Sequence, residues 1–188
     1  MQDLIDQGCA FPASAAAHSL HLERLAEQHR PRAMFIACSD ARLVPSLLTA
    51  VRPGDLYELR THRGVVPPYD AKKPTGESRT IAYAVDELGV ADIVVCGHSD
   101  CDVVTAAMHD NRRVSGVTGC AEESVPLSED VTAAGHWHAL TQLDALSDCP
   151  CVAPRLADRS LRLHAWFQEP DTGATLAHHP RASTFLPL

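Results

Sequence analysis

Two short and strongly apolar segments, AMFIAC (33–38) and ADIVVC (91–96), limit the folds open to this chain more than any other feature. Runs of this length and composition are typical of strands that are buried on both faces of a parallel sheet. Each leads into a cluster of metal-binding residue types, with Cys38 in CSDAR and with His98 and Cys101 in GHSDC. Because ligands gather at the carboxyl ends of parallel strands, the two clusters are expected to form one site.

The sequence around these segments alternates between helical and strand-like patterns. Residues 44–51 indicate a helix with Pro45 in its first turn, and LYELRT (56–61) is typical of another strand. Apolar residues recur at helical spacing within 78–88, and residues 100–110 indicate a further helix. Strands that alternate with helices predict an α/β fold, in which helices flank a central and mainly parallel β-sheet.

We divide the chain into a helical arm, one domain and a tail. Residues 1–30 are predicted to form an N-terminal helical arm, because the leucines within 18–29 have helical spacing and Pro31 follows them. Residues 31–180 are predicted to form a single α/β domain that holds the metal site and the catalytic residues. Residues 181–188 are predicted to be a loosely held C-terminal tail or contact arm. A chain of 188 residues is long enough for one ordinary hydrophobic core.

Three further patterns occur inside the predicted domain. Residues 111–130 are polar, contain glycine and lack periodicity, so they are predicted to form a surface excursion. The helical pattern resumes at 136–146. The segments 161–168 and 174–178 flank a turn near 171–173, which predicts a C-terminal edge strand or hairpin.

Charge and cysteine content narrow the partners and the compartment. The chain has 16 basic and 24 acidic residues, a formal net charge of -8 and no basic stripe, so nucleic acid is not an expected partner. No apolar run approaches the ~20 residues of a membrane span, and the first thirty residues lack the pattern of a secretory signal. Seven irregularly spaced cysteines argue against a disulfide framework. We therefore expect a cytoplasmic protein with no membrane partner.

The two clusters offer the donor set of a catalytic zinc site. Cys38 and Cys101 would supply two thiolates and His98 an imidazole, which leaves a fourth position for water or Asp40. The two-residue spacing between His98 and Cys101 lets one chain reversal bring both to a single metal. Cys101 also precedes a predicted helix, whose N-terminus favours the thiolate form. The sequence predicts one zinc per chain, and buried structural thiols are the alternative.

The same residues resemble the β-class carbonic anhydrases. The motifs are Cys-x-Asp-x-Arg from Cys38 to Arg42 and Gly-His-x-x-Cys from Gly97 to Cys101, and the resemblance extends over residues 25 to 180. It implies zinc-dependent reversible hydration of carbon dioxide to bicarbonate and a proton, with zinc-bound hydroxide as the nucleophile. It also implies a homodimer or higher homo-oligomer.

The resemblance assigns roles to two residues beside the metal. Asp40 either accepts a hydrogen bond from the zinc-bound water or becomes a fourth ligand in a closed state. Arg42 is expected to hold the Asp40 carboxylate with two hydrogen bonds, away from the metal. The alternatives to these roles are that Asp40 caps a helix and that Arg42 is an ordinary surface charge.

Some positions depart from the family pattern. Asp102 follows the second zinc cysteine, where glycine is usual, and could tune the metal-bound water. The stretch RTHRG (60–64) replaces a more common Arg-Asn, and Ala82 stands where an acidic residue often precedes the tyrosine. His62, within RTHRG, is a candidate for proton transfer, with a solvated loop histidine as the alternative. These departures leave the predicted metal site intact and leave the substrate open.

Three other functions therefore stay open. A repurposed hydrolase would act on carbonyl sulfide, carbon disulfide or another small electrophile such as an activated acyl compound. A non-catalytic zinc-stabilised binding module would keep Asp40 permanently on the metal. A metal-free enzyme would use Cys38 as a nucleophile activated by His98. The pair Cys149 and Cys151 lacks further ligands nearby and is interpreted as two bystander thiols.

Overall fold

A computed structural model describes residues 1–17, 30–102, 104–105 and 130–188. The chain divides into two compact units, Met1–Arg30 and Pro31–Leu188. In the first unit, helix α1 spans Gln2–Ala17 and contains Pro12. The helix predicted within 18–29 lies outside the described residues, and so does the surface excursion predicted at 111–130, except for its last residue.

A six-stranded sheet forms the centre of the second unit. Its strands are β1 (Ala33–Cys38), β2 (Leu56–Thr61), β3 (Asp92–His98), β4 (Arg162–Gln168), β5 (Thr175–His179) and β6 (Thr184–Pro187). They lie in the order β2-β1-β3-β4-β5-β6. The first four are parallel, whereas β5 and β6 are antiparallel to their neighbours. The mainly parallel α/β sheet predicted from the sequence is confirmed.

Helices connect and cover the strands of this unit. They are α2 (Pro45–Leu48), α3 (Gly76–Ala82), α4 (Val131–Ser147) and α5 (Ala153–Ala157), with a π-helical turn at Tyr83–Glu87 and a 3-10 turn at His62–Gly64. Past β3, Asp102, Val104 and Thr105 are helical, and the Thr105 N–H donates to the Cys101 carbonyl at 2.9 Å. The helix predicted at 100–110 therefore begins directly after Cys101, and its remainder lies outside the described residues. None of the helices in the described part of the chain is long and apolar enough to cross a bilayer.

Local chemistry explains where several helices begin and end. Pro45 occupies the first turn of α2, where its missing N–H costs no hydrogen bond. The Thr75 side chain accepts a hydrogen bond from the Ser78 N–H and so caps α3. Asp130 caps α4 in the same way, through the N–H groups of Thr132 and Ala133. The capping at Asp130 makes α4 start five residues before the predicted segment.

The apolar side chains of β1 and β3 alternate between the two faces of the sheet. On one face, the Met34 and Ile36 side chains join a buried cluster with Ile93, Val95 and residues of α3, α4 and α5 or their flanks. On the other face, Phe35 joins a cluster that includes Val94 and Val104 and also contains Cys38 and Cys101. The two apolar segments are buried on both faces, as predicted, and this burial fixes the strand ends that carry Cys38 and His98.

The C-terminal segments partly follow the sequence prediction. The β4–β5 hairpin is confirmed, with Phe167 opposite Leu176 in its antiparallel register. The predicted tail at 181–188 differs from the structure, because Thr184–Pro187 forms β6 and pairs with β5 from His179↔Thr184 to Leu176↔Pro187. The strand has only four residues, too few to show strand alternation, so pairing with β5 and not its own pattern holds it in the sheet.

Candidate metal centre

The carboxyl ends of β1 and β3 bring the three predicted ligands together. The Sγ atoms of Cys38 and Cys101 and a ring nitrogen of His98 all lie within 4.8 Å of one another. All three residues are buried, with exposed fractions of 4–6%. Two sulfurs and one imidazole nitrogen at this separation match the donor set that zinc prefers.

The environment of Cys38 favours its thiolate form. Its pKa is lowered to about 3, chiefly by a hydrogen bond from the Cys101 thiol, although burial acts in the opposite direction. The His98 ring and the backbone N–H groups of Asp40 and Arg63 lower the pKa further. Because a metal binds the thiolate and not the thiol, this position is prepared for a metal.

The His98 ring is oriented by a backbone carbonyl. Its Nδ1 lies 2.8 Å from the Ser99 carbonyl oxygen and donates to it, which leaves Nε2 directed at the cysteines. Nε2 is buried and has no well-formed hydrogen bond among the described residues. Burial lowers the pKa of His98, but the Cys38 thiolate and the Ser99 carbonyl outweigh it, so the net shift is upward. A histidine that donates through one nitrogen and offers the other is the usual geometry of a metal ligand.

Asp40 is held by Arg42 beside this cluster. The Arg42 guanidinium donates to Asp40 Oδ2 at 2.7 Å and to Oδ1 at 3.2 Å, and the Arg42 backbone N–H donates to Oδ1 at 2.8 Å. These hydrogen bonds hold the pKa of Asp40 at about 2. Asp40 Oδ2 remains 4.0 Å from His98 Nε2. The carboxylate is therefore charged, next to the cluster, and engaged by the arginine as the resemblance implied.

Two arginines fix the backbone around the cluster. Arg42 also donates to the Asp100 carbonyl at 3.0 Å, which joins the loop after β1 to the loop after β3. Arg60, at the end of β2, donates to the carbonyls of Cys38 at 3.0 Å and Asp40 at 2.6 Å. Arg60 begins the stretch RTHRG but was not among the predicted site residues, because a position near a strand end does not by itself indicate these contacts.

The turn after β2 packs against the end of β1, beside the cluster. A Cβ at Gly64 would lie 3.1 Å from the Cys38 nitrogen, and Gly64 has φ +70, so only glycine fits there comfortably. Two buried side chains of α4 hold the turn: His138 Nε2 donates to the Arg63 carbonyl at 3.0 Å, and Gln142 Oε1 accepts from the Val66 N–H at 2.8 Å. His138 was not among the predicted site residues, because its contact with this turn depends on packing between segments that are far apart in the chain.

A small cavity adjoins the cluster, and we call it the metal-side cavity. It is lined by Arg63, Gly97, His98, Cys101, Val104, Gly135 and His138. His62 is exposed and does not line it. Asp102 is also exposed, and its charge lies close enough to Arg42 to raise the pKa of that guanidinium, although Asp40 does so far more.

Three buried or partly buried cysteines among the described residues differ from the cluster cysteines in their chemistry. Burial raises the pKa of Cys96 to about 12 and that of Cys149 to about 11. The pKa of Cys151 is raised as well, again mainly by burial. These are unreactive thiols at neutral pH, in keeping with their interpretation as bystanders.

Comparison with known proteins agrees with the geometry. The family model for carbonic anhydrase matches residues 33–175. A carbonic anhydrase of Pseudomonas aeruginosa is 37% identical over 96% of this chain and 94% of its own length. Carbonic anhydrase 1 of Escherichia coli O157:H7 is 34% identical over 100% of this chain and 92% of its own length.

Solved structures give the same result for the fold. The β-carbonic anhydrase CcaA superposes with a TM-score of 0.83 at 27% identity, covering 100% of this chain and 99% of that one. A β-carbonic anhydrase of Sordaria macrospora, described as tetrameric, superposes with a TM-score of 0.76 at 24% identity over 94% of both chains. The fold, the family match and the sequence identity together show that this chain belongs to the β-carbonic anhydrase family.

Proposed function

We propose that this protein catalyses the reversible hydration of carbon dioxide to bicarbonate and a proton, with one zinc ion per chain bound by Cys38, His98 and Cys101. The observation that carries the proposal is the buried cluster of these three residues within 4.8 Å, with an arginine-bound carboxylate beside it. Membership of the carbonic anhydrase family supports the reaction.

The residues present fit zinc. A metal binds the thiolate form of cysteine, which Cys38 favours, and an unprotonated ring nitrogen such as Nε2 of His98. Nε2 is buried and has no hydrogen-bond partner among the described residues. When bound, zinc lowers the pKa of a coordinated water to near neutrality, so that hydroxide becomes available. The protein supplies the donor set, the orientation of the ring and the exclusion of bulk water.

Asp40 and Arg42 act together beside the metal. A carboxylate with a pKa of about 2 stays charged at every physiological pH and accepts hydrogen bonds. With zinc bound, its Oδ2, which lies 4.0 Å from His98 Nε2, would accept a hydrogen bond from the reacting group beside the metal and orient that group towards the substrate. Arg42 keeps the carboxylate from entering the metal's coordination sphere, which would close the site.

The released proton has to reach solvent. His62 is exposed, directly follows β2 and belongs to the same turn as Arg63, which lines the metal-side cavity. We propose that it passes protons to buffer. The substitution His62→Ala should lower kcat at low buffer concentration, and imidazole buffer should restore it. If the wild type and His62→Ala have equal kcat at every buffer concentration, His62 does not have this role.

The test of the main proposal is stopped-flow hydration of carbon dioxide at pH 8 to 9 on protein of measured zinc content. We expect one zinc per chain and a rate far above that of buffer. Asp40→Asn should retain zinc and lose about 100-fold in kcat, the scale of a positioned proton acceptor. Asp158→Asn, at a surface carboxylate after α5, is the matched control and should be unchanged. Zinc-loaded wild type without activity would contradict the proposal.

A repurposed hydrolase is the second candidate, favoured by the exposed Asp102 close to Arg42. It would act on carbonyl sulfide, carbon disulfide or another small electrophile. Assaying these compounds beside carbon dioxide, on wild type and on Asp102→Gly, decides between them. If the candidate is correct, carbon dioxide is the poorest substrate for the wild type.

Two readings without hydration chemistry make different predictions for single residues. Thiol catalysis by Cys38 and His98 needs neither zinc nor Cys101, so it predicts activity in Cys101→Ala. A zinc-stabilised binding module predicts Asp40 on the metal, whereas the carboxylate is bound by Arg42. Burial of Cys38 to 6% exposure also leaves little room for a substrate to reach its sulfur.

We further propose a homo-oligomer in the cytoplasm. Apolar side chains on α1 and α2 are exposed in the single chain, including Leu4 at 71% and Leu47 at 78%, which supports a contact with a second copy. Two cysteines that must stay reduced to bind metal support a reducing compartment. Sedimentation analysis that shows only monomers at micromolar concentration would contradict the oligomer.

A further inference from the structure

We propose that Arg63 binds the anionic partner of the reaction, a small monovalent oxyanion such as bicarbonate, at the edge of the metal-side cavity. The inference rests on the proposed function, because it names a ligand-binding residue of the same site. It concerns a residue that lies outside both family motifs and inside the stretch RTHRG, where the chain departs from the family pattern.

The position of Arg63 is the first argument. Arg63 lines the metal-side cavity together with His98 and Cys101, two of the three proposed metal ligands. Its backbone N–H also contributes to lowering the pKa of Cys38. The cavity has a volume of about 10 Å³, room for about one water-sized group, so an anion at its edge would place one oxygen in it, next to both the arginine and the proposed metal ligands.

The second argument is an unsatisfied polar atom. Arg63 Nε is buried and has no hydrogen-bond partner among the described residues, and the described carboxylates make no ion pair with Arg63. A buried guanidinium nitrogen without an acceptor is costly unless a ligand or water satisfies it. An oxyanion is the natural acceptor, because two of its oxygens match the guanidinium fork.

The third argument is the backbone strain at Arg63. Arg63 has φ +64, a conformation that favours glycine. It is maintained by His138, which binds the Arg63 carbonyl, by Gln142, which binds the Val66 N–H, and by the close approach of Gly64 to Cys38. Strain of this kind persists where the surroundings enforce it, and such positions concentrate at functional sites.

Charge balance shows why a cation is useful here. Two thiolates would cancel the charge of a bound zinc ion, so the metal centre itself would attract an anion only weakly. Asp40 adds a negative charge nearby, and Arg42 is occupied in binding it. Arg63 is the cation among the cavity-lining residues that is left to stabilise a bound anion, whereas uncharged carbon dioxide gains nothing from it.

The experiment measures anion binding at equilibrium, without turnover. Nitrate is the probe, because it is planar, monovalent and shaped like bicarbonate but is not a substrate. Calorimetric titration at constant ionic strength should show nitrate binding to the zinc-loaded wild type. Arg63→Gly should bind nitrate about 10- to 100-fold more weakly, the scale of a lost charge-assisted hydrogen bond. Arg63→Lys should lose less.

Arg159→Gly is a matched control, since Arg159 also has φ +64 but is exposed and does not line the cavity. Its nitrate affinity should equal that of the wild type. Both glycine variants relieve the same backbone strain, so both should unfold at denaturant concentrations no lower than the wild type. Arg63→Asn, which tolerates this conformation and lacks the charge, should repeat the loss of nitrate binding if Arg63→Gly folds poorly.

Steady-state kinetics give a second measurement. The KM for bicarbonate should rise about tenfold or more in Arg63→Gly, while the KM for carbon dioxide stays the same. Unchanged nitrate affinity in Arg63→Gly, or a loss of folding in both Arg63→Gly and Arg63→Asn, would overturn the proposal, the latter because it assigns Arg63 a structural role. Zinc-loaded wild type that binds nitrate through Arg63 but does not hydrate carbon dioxide would refute the proposed function and keep the anion site.

Discussion

The two ends of strand β3 carry the same residue types in opposite states. At its amino end, Asp92 accepts hydrogen bonds from His164 Nε2 at 2.8 Å and from the Arg162 guanidinium at 2.7 and 2.8 Å. At its carboxyl end, His98 Nε2 lies 4.0 Å from Asp40, whose carboxylate is engaged by Arg42. One aspartate binds both its histidine and its arginine, whereas the other binds its arginine and leaves Nε2 of its histidine without a hydrogen bond.

This difference separates a structural cluster from a ligand-binding one. Among the described residues, four buried side-chain nitrogen or oxygen atoms have no hydrogen-bond partner, and three of them lie at the carboxyl edge of the sheet: Arg63 Nε, His98 Nε2 and Gln168 Oε1. The Asp92 cluster has none. Unsatisfied polar atoms are costly in a hydrophobic core, so their concentration at one edge of the sheet indicates a ligand-binding site there.

The largest predicted difference is between the two histidines. His98→Ala removes a proposed metal ligand, so zinc affinity should fall by more than about 100-fold. Loss of a residue that only hydrogen-bonds to a metal ligand costs about 10- to 100-fold. His164→Ala should retain one zinc per chain and the hydration rate. Metal analysis after dialysis, beside a stopped-flow assay, measures both. Zinc retained by His98→Ala would break the distinction between the two ends.

The two arginines should differ next most. Arg42→Gln releases the Asp40 carboxylate, which can then turn towards His98 and the metal, so kcat should fall about 100-fold while zinc stays bound. Arg162→Gln removes the equivalent partner of Asp92 and should leave kcat unchanged. Equal losses in the two variants would mean that Arg42 acts only on folding.

The Asp92 cluster should matter for stability instead. Asp92→Asn removes the charged acceptor of two partners, and we expect a loss of about 1 kcal/mol in the free energy of unfolding, small because Arg162 is exposed and water screens the pair. Hydration activity should not change. Urea denaturation followed by circular dichroism checks the first part, and an unchanged midpoint would show that the cluster contributes nothing.

The smallest effect is the pH dependence of that contribution. Hydrogen bonds from Arg162, and then from His164, lower the pKa of Asp92 in the folded protein. A lowered folded pKa contributes stability above the unfolded value of about 3.9, and this stability is lost as the pH falls through the folded pKa. The stability difference between wild type and Asp92→Asn should therefore be constant from pH 5 to 6 and shrink below about pH 4. A difference that grows in acid would contradict the shift.

Much of the fold could be predicted because the strands of a parallel sheet have a strong signal. The buried runs at 33–38 and 91–96 and the helical spacing before Gly89 are local features, and the structure matches them within a few residues. The strand Thr184–Pro187 could not be found in this way, because its pairing with β5 and not its own composition holds it. Similarly, the helical pattern of α3 gives no sign of the π-helical turn at Tyr83–Glu87.

The cluster of proposed metal ligands was predictable for a similar reason, and the supporting residues were not. Donor types placed directly after buried strands identify Cys38, His98 and Cys101 without knowledge of the packing. The contacts of His138 with the Arg63 carbonyl and of Arg60 with the Cys38 carbonyl depend on distances between elements far apart in the chain. The positive φ of Arg63 has no sequence signal, since only the following Gly64 suggests a tight turn.

A crystal structure of the zinc-loaded protein at neutral to mildly alkaline pH tests the central claim most directly. We predict one zinc per chain, bound at about 2.3 Å by the sulfurs of Cys38 and Cys101 and at about 2.0 Å by His98 Nε2. The fourth ligand should be a solvent oxygen, with Asp40 still bound by Arg42. Zinc coordinated elsewhere, or Asp40 as the fourth ligand with Arg42 displaced, would contradict the account.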